Sequence, residues 1–341
     1  MAVDSSKSYG SIPLFNPAEG LLVRAPDDDG PGWWAGAPGA SFDSETDTFY
    51  LVYRLRRPRE KGRGIECRIA SSSNGISFRD IWALPKATLN AHSVERCALQ
   101  RGVNGKWQLY LSYSSQEDNR WRIAMLESDE PDQFNVQDLQ ELFTAEALGC
   151  EGVKDPAVFQ IGRMTYMLFS YATREESLSE EQRALRHETG DIYNTGLTLS
   201  RTGAAMSGDG RRFQWLGDVS PRFNEISSNT SQDNNHPPKG WDSYCKRTGA
   251  LTPLCGGGYQ AFYDGSSSVE GNYEERTGIA VTFDLKNYYS LTPDEPALVS
   301  PCGSGSLRYL DVISVGRELF YYYEMSRPDG GHELRVSIVE R

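Results

Sequence analysis

Five segments of the chain share one hydrophobic pattern: TFYLVYRLR (48–56), KWQLYLSYSS (106–115), MTYMLFSYAT (164–173), GGYQAFYDGS (257–266) and ELFYYYEMS (318–326). Each alternates with period 2 or runs continuously apolar, which predicts a strand. Their centres, Tyr50, Leu109, Met167, Ala261 and Tyr321, are almost evenly spaced, except that the step from Met167 to Ala261 is longer by more than half. That is a regular repeat with one insertion.

A short apolar strand precedes each segment: GAPGASFD, VERCALQR, KDPAVFQI, RTGALTPL and LRYLDVISV. A third follows each, as in ECRIASSSNGISF and HELRVSIVER, and then a turn and a weaker fourth. Radial repetition of such units protects the strand edges that an open sheet would expose. The pattern therefore predicts an all-β fold, a five-bladed β-propeller with four-stranded antiparallel blades. One domain over 1–341 is expected, with a long insertion between the third and fourth repeats at about 174–246. Within it EESLSEEQRALRHE (175–188) reads as an exposed helix carrying Glu181 and Arg186. RFNEISSNTSQDNNHPPKGWDSYCK (222–246) reads as a long loop, a candidate lid.

Composition narrows the partners. The 17 prolines and 33 glycines suit many short turns, and the net charge of −12 disfavours nucleic acid or an anionic membrane. A small neutral or cationic ligand fits the overall charge better. The N-terminal stretch has neither a basic start nor a continuous apolar run, which predicts no secretory signal and a cytoplasmic location. The six cysteines are scattered singly, so reduced buried thiols are expected, with a Cys245–Cys255 pair left open. No metal helix, phosphate loop or serine-hydrolase elbow is present, and neither a cofactor nor a metal is predicted. Oligomeric state stays open.

In a propeller the first strand of each blade lines the axis, so the residues opening those strands converge on one funnel. These are Gly36 to Pro38, Ser93 to Arg96, Lys154 to Pro156, Lys246 to Thr248 and Arg308 to Asp311. Pro156 is tolerated because it begins a strand rather than interrupting one.

The KDPAVF…YMLFSYA unit, the endings SGDGRRF and SSNGISF, and YDGSSSVEGNYEERTGIAVTFDL together resemble the five-bladed propeller glycosidases, the group that includes glycoside hydrolase families 43, 32, 117 and 130. The resemblance extends through all five repeats. It implies cleavage of a glycosidic bond by carboxylates, one protonating the leaving oxygen while another attacks carbon or activates water. Asp155 matches the Asp-Pro position, which implies substrate orientation or tuning of the acid. Blade one departs from the pattern, with Ala37 and Pro38 where many relatives carry a catalytic aspartate and its proline.

On this reading Glu95 is the candidate acid, Asp155 the modulator or clamp, and Asp242 the base. Lys154, Arg96, Arg247 and Arg308 are candidate binding groups that would also suit an acidic sugar. Asp311 and Glu324 either face the pocket or pair with Arg308 and Arg327. His92 either lies at the funnel as a water or Ca²⁺ ligand or makes an ordinary hydrogen bond. Trp34 and Trp241 are candidate stacking platforms for a sugar, whereas Trp82, Trp107, Trp121 and Trp215 fill spaces between blades. Glu274 and Glu275 are read as packing residues and Asp264 as a turn residue. The expected activity is a glycoside hydrolase or related glycosyl-transferring enzyme acting on a small carbohydrate. The alternatives are a non-catalytic carbohydrate-binding propeller, or a propeller enzyme doing other chemistry on a glycosylated or nucleoside-like metabolite.

Overall fold

The computed structural model describes residues 12–222 and 240–341. Most of the predicted 222–246 loop, and with it the lid, lies outside the described residues. A short strand, β1 (Leu21–Arg24), precedes the first repeat. The repeats then follow as antiparallel groups. The first comprises β2 (Trp34–Asp43), β3 (Thr48–Arg56), β4 (Gly64–Ser72) and β5 (Arg79–Pro85). The second has β6 (Ala91–Val94) and β7 (Ala98–Arg101), two halves of one broken strand, then β8 (Trp107–Ser115), β9 (Trp121–Ser128) and β10 (Gln140–Phe143). A one-turn helix, α1 (Ala145–Leu148), capped by Thr144, leads into the third group. That group is β11 (Gly152–Ile161), β12 (Met164–Ala172), β13 (Ser200–Ser207) and β14 (Gln214–Asp218). The fourth is β15 (Cys245–Pro253), β16 (Tyr259–Ser266), β17 (Arg276–Thr282) and β18 (Tyr288–Ser290). The fifth is β19 (Leu307–Val315), β20 (Glu318–Ser326) and β21 (His332–Glu340), and its outer partner is β1, which pairs with β21.

The same side-chain turn joins third and fourth strands in three groups. Ser72, Ser207 and Thr282 accept from the N–H of Gly75, Gly210 and Leu285 at 2.9–3.0 Å. Asn74, Asp209 and Asp284 accept from the next two amides. Gly75, Gly210 and Leu285 all have positive φ, which glycine adopts freely and Leu285 adopts at some cost.

Apolar cores lie between groups adjacent in sequence. Leu109 and Leu111 pack with Val52 and Ile69, Phe169 with Tyr110, and Tyr263 with Leu168. Tyr321 packs with Phe262, and Leu51 and Leu334 share a core with Tyr322, so the last group closes onto the first. Trp82, Trp107 and Trp215 lie in or against these cores. Cross-strand register corrects one detail of the repeat: the position matching Met167, Ala261 and Tyr321 is the fully buried Leu51, one residue after Tyr50.

The long third interval is divided, because β13 and β14 fall inside it. Its first part carries α2 (Glu180–Leu185), started by a Ser179–Gln182 capping box and shorter than the predicted 175–188. Arg186, expected on the exposed helix surface, instead turns inward and pairs with Glu151, which also meets Arg174 and His187. Cys245 and Cys255 are both free thiols, one buried and one exposed.

Candidate active site

The first strand of each group is paired along its length with its second strand, and each is irregular near its start. Register shifts fall between Gly36 and Gly39, Lys154 and Ala157, Thr248 and Ala250, and Arg308 and Asp311, while the second group breaks at 95–97. Counting back from the paired positions Ala40, Leu99, Val158, Leu251 and Val312 aligns Gly36, Glu95, Lys154, Arg247 and Arg308. The next residues are Ala37, Arg96, Asp155, Thr248 and Tyr309. Ala37, Asp155 and Tyr309 share a left-handed backbone with positive φ, a costly conformation for residues other than glycine.

Each of those three residues turns its N–H toward the second strand of the preceding group. Ala37 donates to Glu324 at 3.0 Å, Asp155 to Ser112 Oγ at 3.1 Å and Tyr309 to Asp264 at 3.0 Å. The acceptors occupy equivalent places on β20, β8 and β16, and Arg54 stands at that place on β3, where it pairs with Glu95. Ala37-Pro38 thus coincides with Asp155-Pro156, and Glu324 brings a carboxylate to the backbone where the blade-one aspartate is missing.

The repeat builds a buried chain of alternating charges. Arg54 meets Glu95 and Glu324, and Arg308 donates to Glu324 Oε1 through Nε and Nη2 at 3.0 and 2.7 Å. Arg308 also holds Glu275 at 2.6 Å, and Arg247 reaches Glu275 at 2.6 Å, Asp155 at 3.5 Å and Asp264 at 3.6 Å. Lys154 Nζ lies 3.2 Å from Asp155, over the rings of Trp121 and Tyr193. Each of these charged residues is at most 5% exposed. A buried charge is tolerated only when paired, and removing one partner is costly.

The insertion completes one side. Asp191 accepts from Trp121 Nε1 at 3.1 Å and from the Tyr273 hydroxyl at 2.5 Å, and pairs with Arg63 at 2.8 Å. Arg56 lies between aromatic rings, 4.0 Å from the centre of Trp34 and 4.2 Å from that of Tyr273. Its Nε has no partner among the described residues.

The carboxyls differ in proton affinity. Burial pushes Asp264 up to about 7, with Arg247 opposing and Glu275 adding to the rise. Burial also acts to raise Glu275, yet Arg247 and Arg308 outweigh it and hold that carboxyl at about 2. Glu324 is held well below the usual carboxylate range, burial being overcome by Arg308, Arg54 and His332. In Glu95 burial is likewise outweighed by Arg54, Lys154 and Arg56. Its surroundings therefore favour a carboxylate that stays ionised over the acid role expected of it.

Of the residues singled out from sequence, Glu95, Lys154, Asp155, Arg247, Arg308, Glu324 and Trp34 come together in this cluster. The Trp34 ring is covered by His332, stacked at 4.6 Å, and by Arg56. Arg96, within the break of the second group, and Asp311, at the end of the register shift in the fifth, pair with each other at 3.4 Å. Asp242 belongs to a separate group, accepting from Tyr263 at 2.9 Å beside Lys246 at 3.4 Å. Trp241 stacks on Tyr263 and donates to the Thr292 carbonyl at 2.8 Å, so it packs against the fourth group. His92 bonds to Asn119 at 2.6 Å. Among the described residues no cluster of His, Cys, Asp or Glu is arranged to hold a metal ion. Missing from the sequence reading were Arg54, Arg56, Arg63, Asp191, Tyr273 and His332, and Tyr309 entered only within the stretch Arg308 to Asp311. Asp264 and Glu275 were noted there only as turn and packing residues.

By sequence, no protein-family description and no curated protein matches the chain. By structure, it is similar to the RS223 β-xylosidase, with a TM-score of 0.61, 13% identity and 95% of each chain covered. It is similar to the β-1,2-mannobiose phosphorylase of Listeria innocua, solved with β-1,2-mannobiose, with a TM-score of 0.57, 14% identity and 94% of each chain covered. A third is the GH43_1 enzyme of Xanthomonas citri, solved with xylotriose, at TM-score 0.59 and 12% identity, covering 93% of this chain and 90% of that one. The chain has the fold of these sugar-active enzymes. Where the blade-one aspartate was expected, Ala37 donates its N–H to Glu324, which pairs with Arg54 and Arg308.

Proposed function

We propose that the chain is a single-domain, five-bladed β-propeller that performs acid/base chemistry on a small sugar or glycoside at its axis, as a glycoside hydrolase or a related glycosyl-transferring enzyme. The observation that carries this reading is the divergence of Asp264 and Glu275, two buried carboxyls beside one arginine, one pushed up to about 7 and the other held at about 2. Glycosidic cleavage needs one carboxyl protonated while another is ionised. In this reading Asp264 gives its proton to the leaving oxygen, taking the role first assigned to Glu95. Asp155 orients the sugar, and ionised Glu95 takes a proton from the water that bonds to the anomeric carbon as the glycosidic bond breaks. Lys154, Arg247 and Arg308 bind hydroxyls or an anionic group. With so many arginines a phosphate could serve as acceptor in place of water, the reaction class named for the Listeria neighbour.

A second reading is a non-catalytic carbohydrate-binding propeller. It is favoured by the pairing of Glu95, Asp155, Glu275 and Glu324 with buried cations, which leaves those carboxylates already engaged. A panel of aryl glycosides and small oligosaccharides, with and without phosphate, separates the two. Turnover supports the enzyme, and thermal stabilisation by a sugar without turnover supports the binding protein.

A further inference from the structure

A cavity of about 310 Å³ lies among the first strands of the groups. Its walls come from the later halves of the first strands of all five groups, and Arg96 and Asp311 stand in its lining. Leu99, Val158, Leu251 and Ile313 give it carbon surface, and Gln160 stands exposed in its lining.

Arg96 is the unusual member. It is 2% exposed, its Nε has no partner among the described residues, and the carboxylate it pairs with is that of Asp311, 3.4 Å from Nη2. Asp311 is better served, since its two oxygens accept from the amides of Ala40 at 2.8 Å and Val312 at 2.9 Å. A buried guanidinium with unused donors is costly unless something accepts from them. The fold also clears space for this side chain: a methyl group at Gly249 would collide with Arg96 Nη1.

We propose that this cavity is a second ligand site, distinct from the charge cluster, that takes a small organic monocarboxylate with a short apolar body. The carboxylate accepts from Arg96, an arrangement that planar guanidinium favours, and the body lies among Leu99, Val158, Leu251 and Ile313. A sugar fits less well, because its ring of hydroxyls would meet few polar side chains here beyond Arg96, Asp311 and Gln160.

Calorimetric titration of the full chain with hexanoate, hexanamide and xylose tests this. The expected result is saturable binding of hexanoate at least tenfold tighter than hexanamide, and none of xylose. Two variants locate the site. R96M/D311N removes both charges together, so no buried charge is left alone, and Gln160→Trp changes only an exposed residue of the lining. Both should weaken hexanoate at least tenfold. Equal affinity for hexanoate and hexanamide, xylose as the tighter ligand, no binding of hexanoate to wild type, or undiminished binding to Gln160→Trp would each overturn the proposal.

Discussion

Arg247 stands 3.6 Å from the carboxylate of Asp264, too far for a good hydrogen bond, although both side chains are buried. The same guanidinium nitrogen lies 2.6 Å from Glu275, so its charge is spent mainly there. Asp264 is left with burial as its dominant influence. A proton held near neutral pH beside a permanently ionised neighbour is the arrangement that acid catalysis uses.

Stability should therefore respond to pH through Asp264. Its folded-state pKa of about 7 lies above the ordinary 3.8, so the folded state binds the proton more tightly. That contribution is fully present below about pH 4 and is lost as pH rises through 7. Thermal melts from pH 5 to 8 should show wild type losing stability relative to Asp264→Asn. Glu275 has the opposite sign, contributing above about pH 4.5 and losing that contribution as pH falls toward 2. Glu275→Gln should flatten the acid side of the same profile.

Glu324 ties two arginines at once. Glu324→Ala leaves Arg54 and Arg308 buried without this partner and should cost about 3–5 kcal/mol in chemical denaturation. A value near zero would mean that the charge chain adds nothing to stability.

Gly36 is needed for space. A methyl group there would overlap the Glu324 carboxylate, which is fixed by Arg308, Arg54 and His332. Gly36→Ala should cost about 1–3 kcal/mol, as overpacking does elsewhere, whereas Gly105→Ala meets no neighbouring atom and costs only the strain of an alanine at positive φ, about 1–2 kcal/mol.

Much of the fold was legible because every repeat carries the same apolar spacing, and that spacing is what the cores between groups require. Lys154, Asp155, Arg247, Arg308 and Glu324 were legible because they sit where the first and second strands approach the axis. Arg54 and Arg56 were not. Alternate charges at the end of TFYLVYRLR look like a solvent-facing strand end, and only the neighbouring groups bury them. Asp264 was hidden by the glycine after it, since Asp-Gly signals a turn while β16 runs on to Ser266. Asp191 comes from the insertion, which no repeat pattern predicts. The signal that was available is register: Asp264 and Glu324 occupy the same place in their repeats.

On a turned-over glycoside, Asp264→Asn should lower kcat by about 10²–10⁴-fold, the usual worth of a general acid. Asp242→Asn should leave kcat unchanged, because Asp242 sits with Tyr263 and Lys246. A large loss at Asp242 with none at Asp264 would return the chemistry to the loop before β15.

The most direct test is a carboxyl-carbon NMR titration of Asp264 in wild-type protein, assigned by its loss in Asp264→Asn. The account predicts a midpoint near 7, with Glu275 remaining ionised throughout the neutral range. A midpoint near the ordinary 3.8 would contradict it, since Asp264 would then carry no proton to donate.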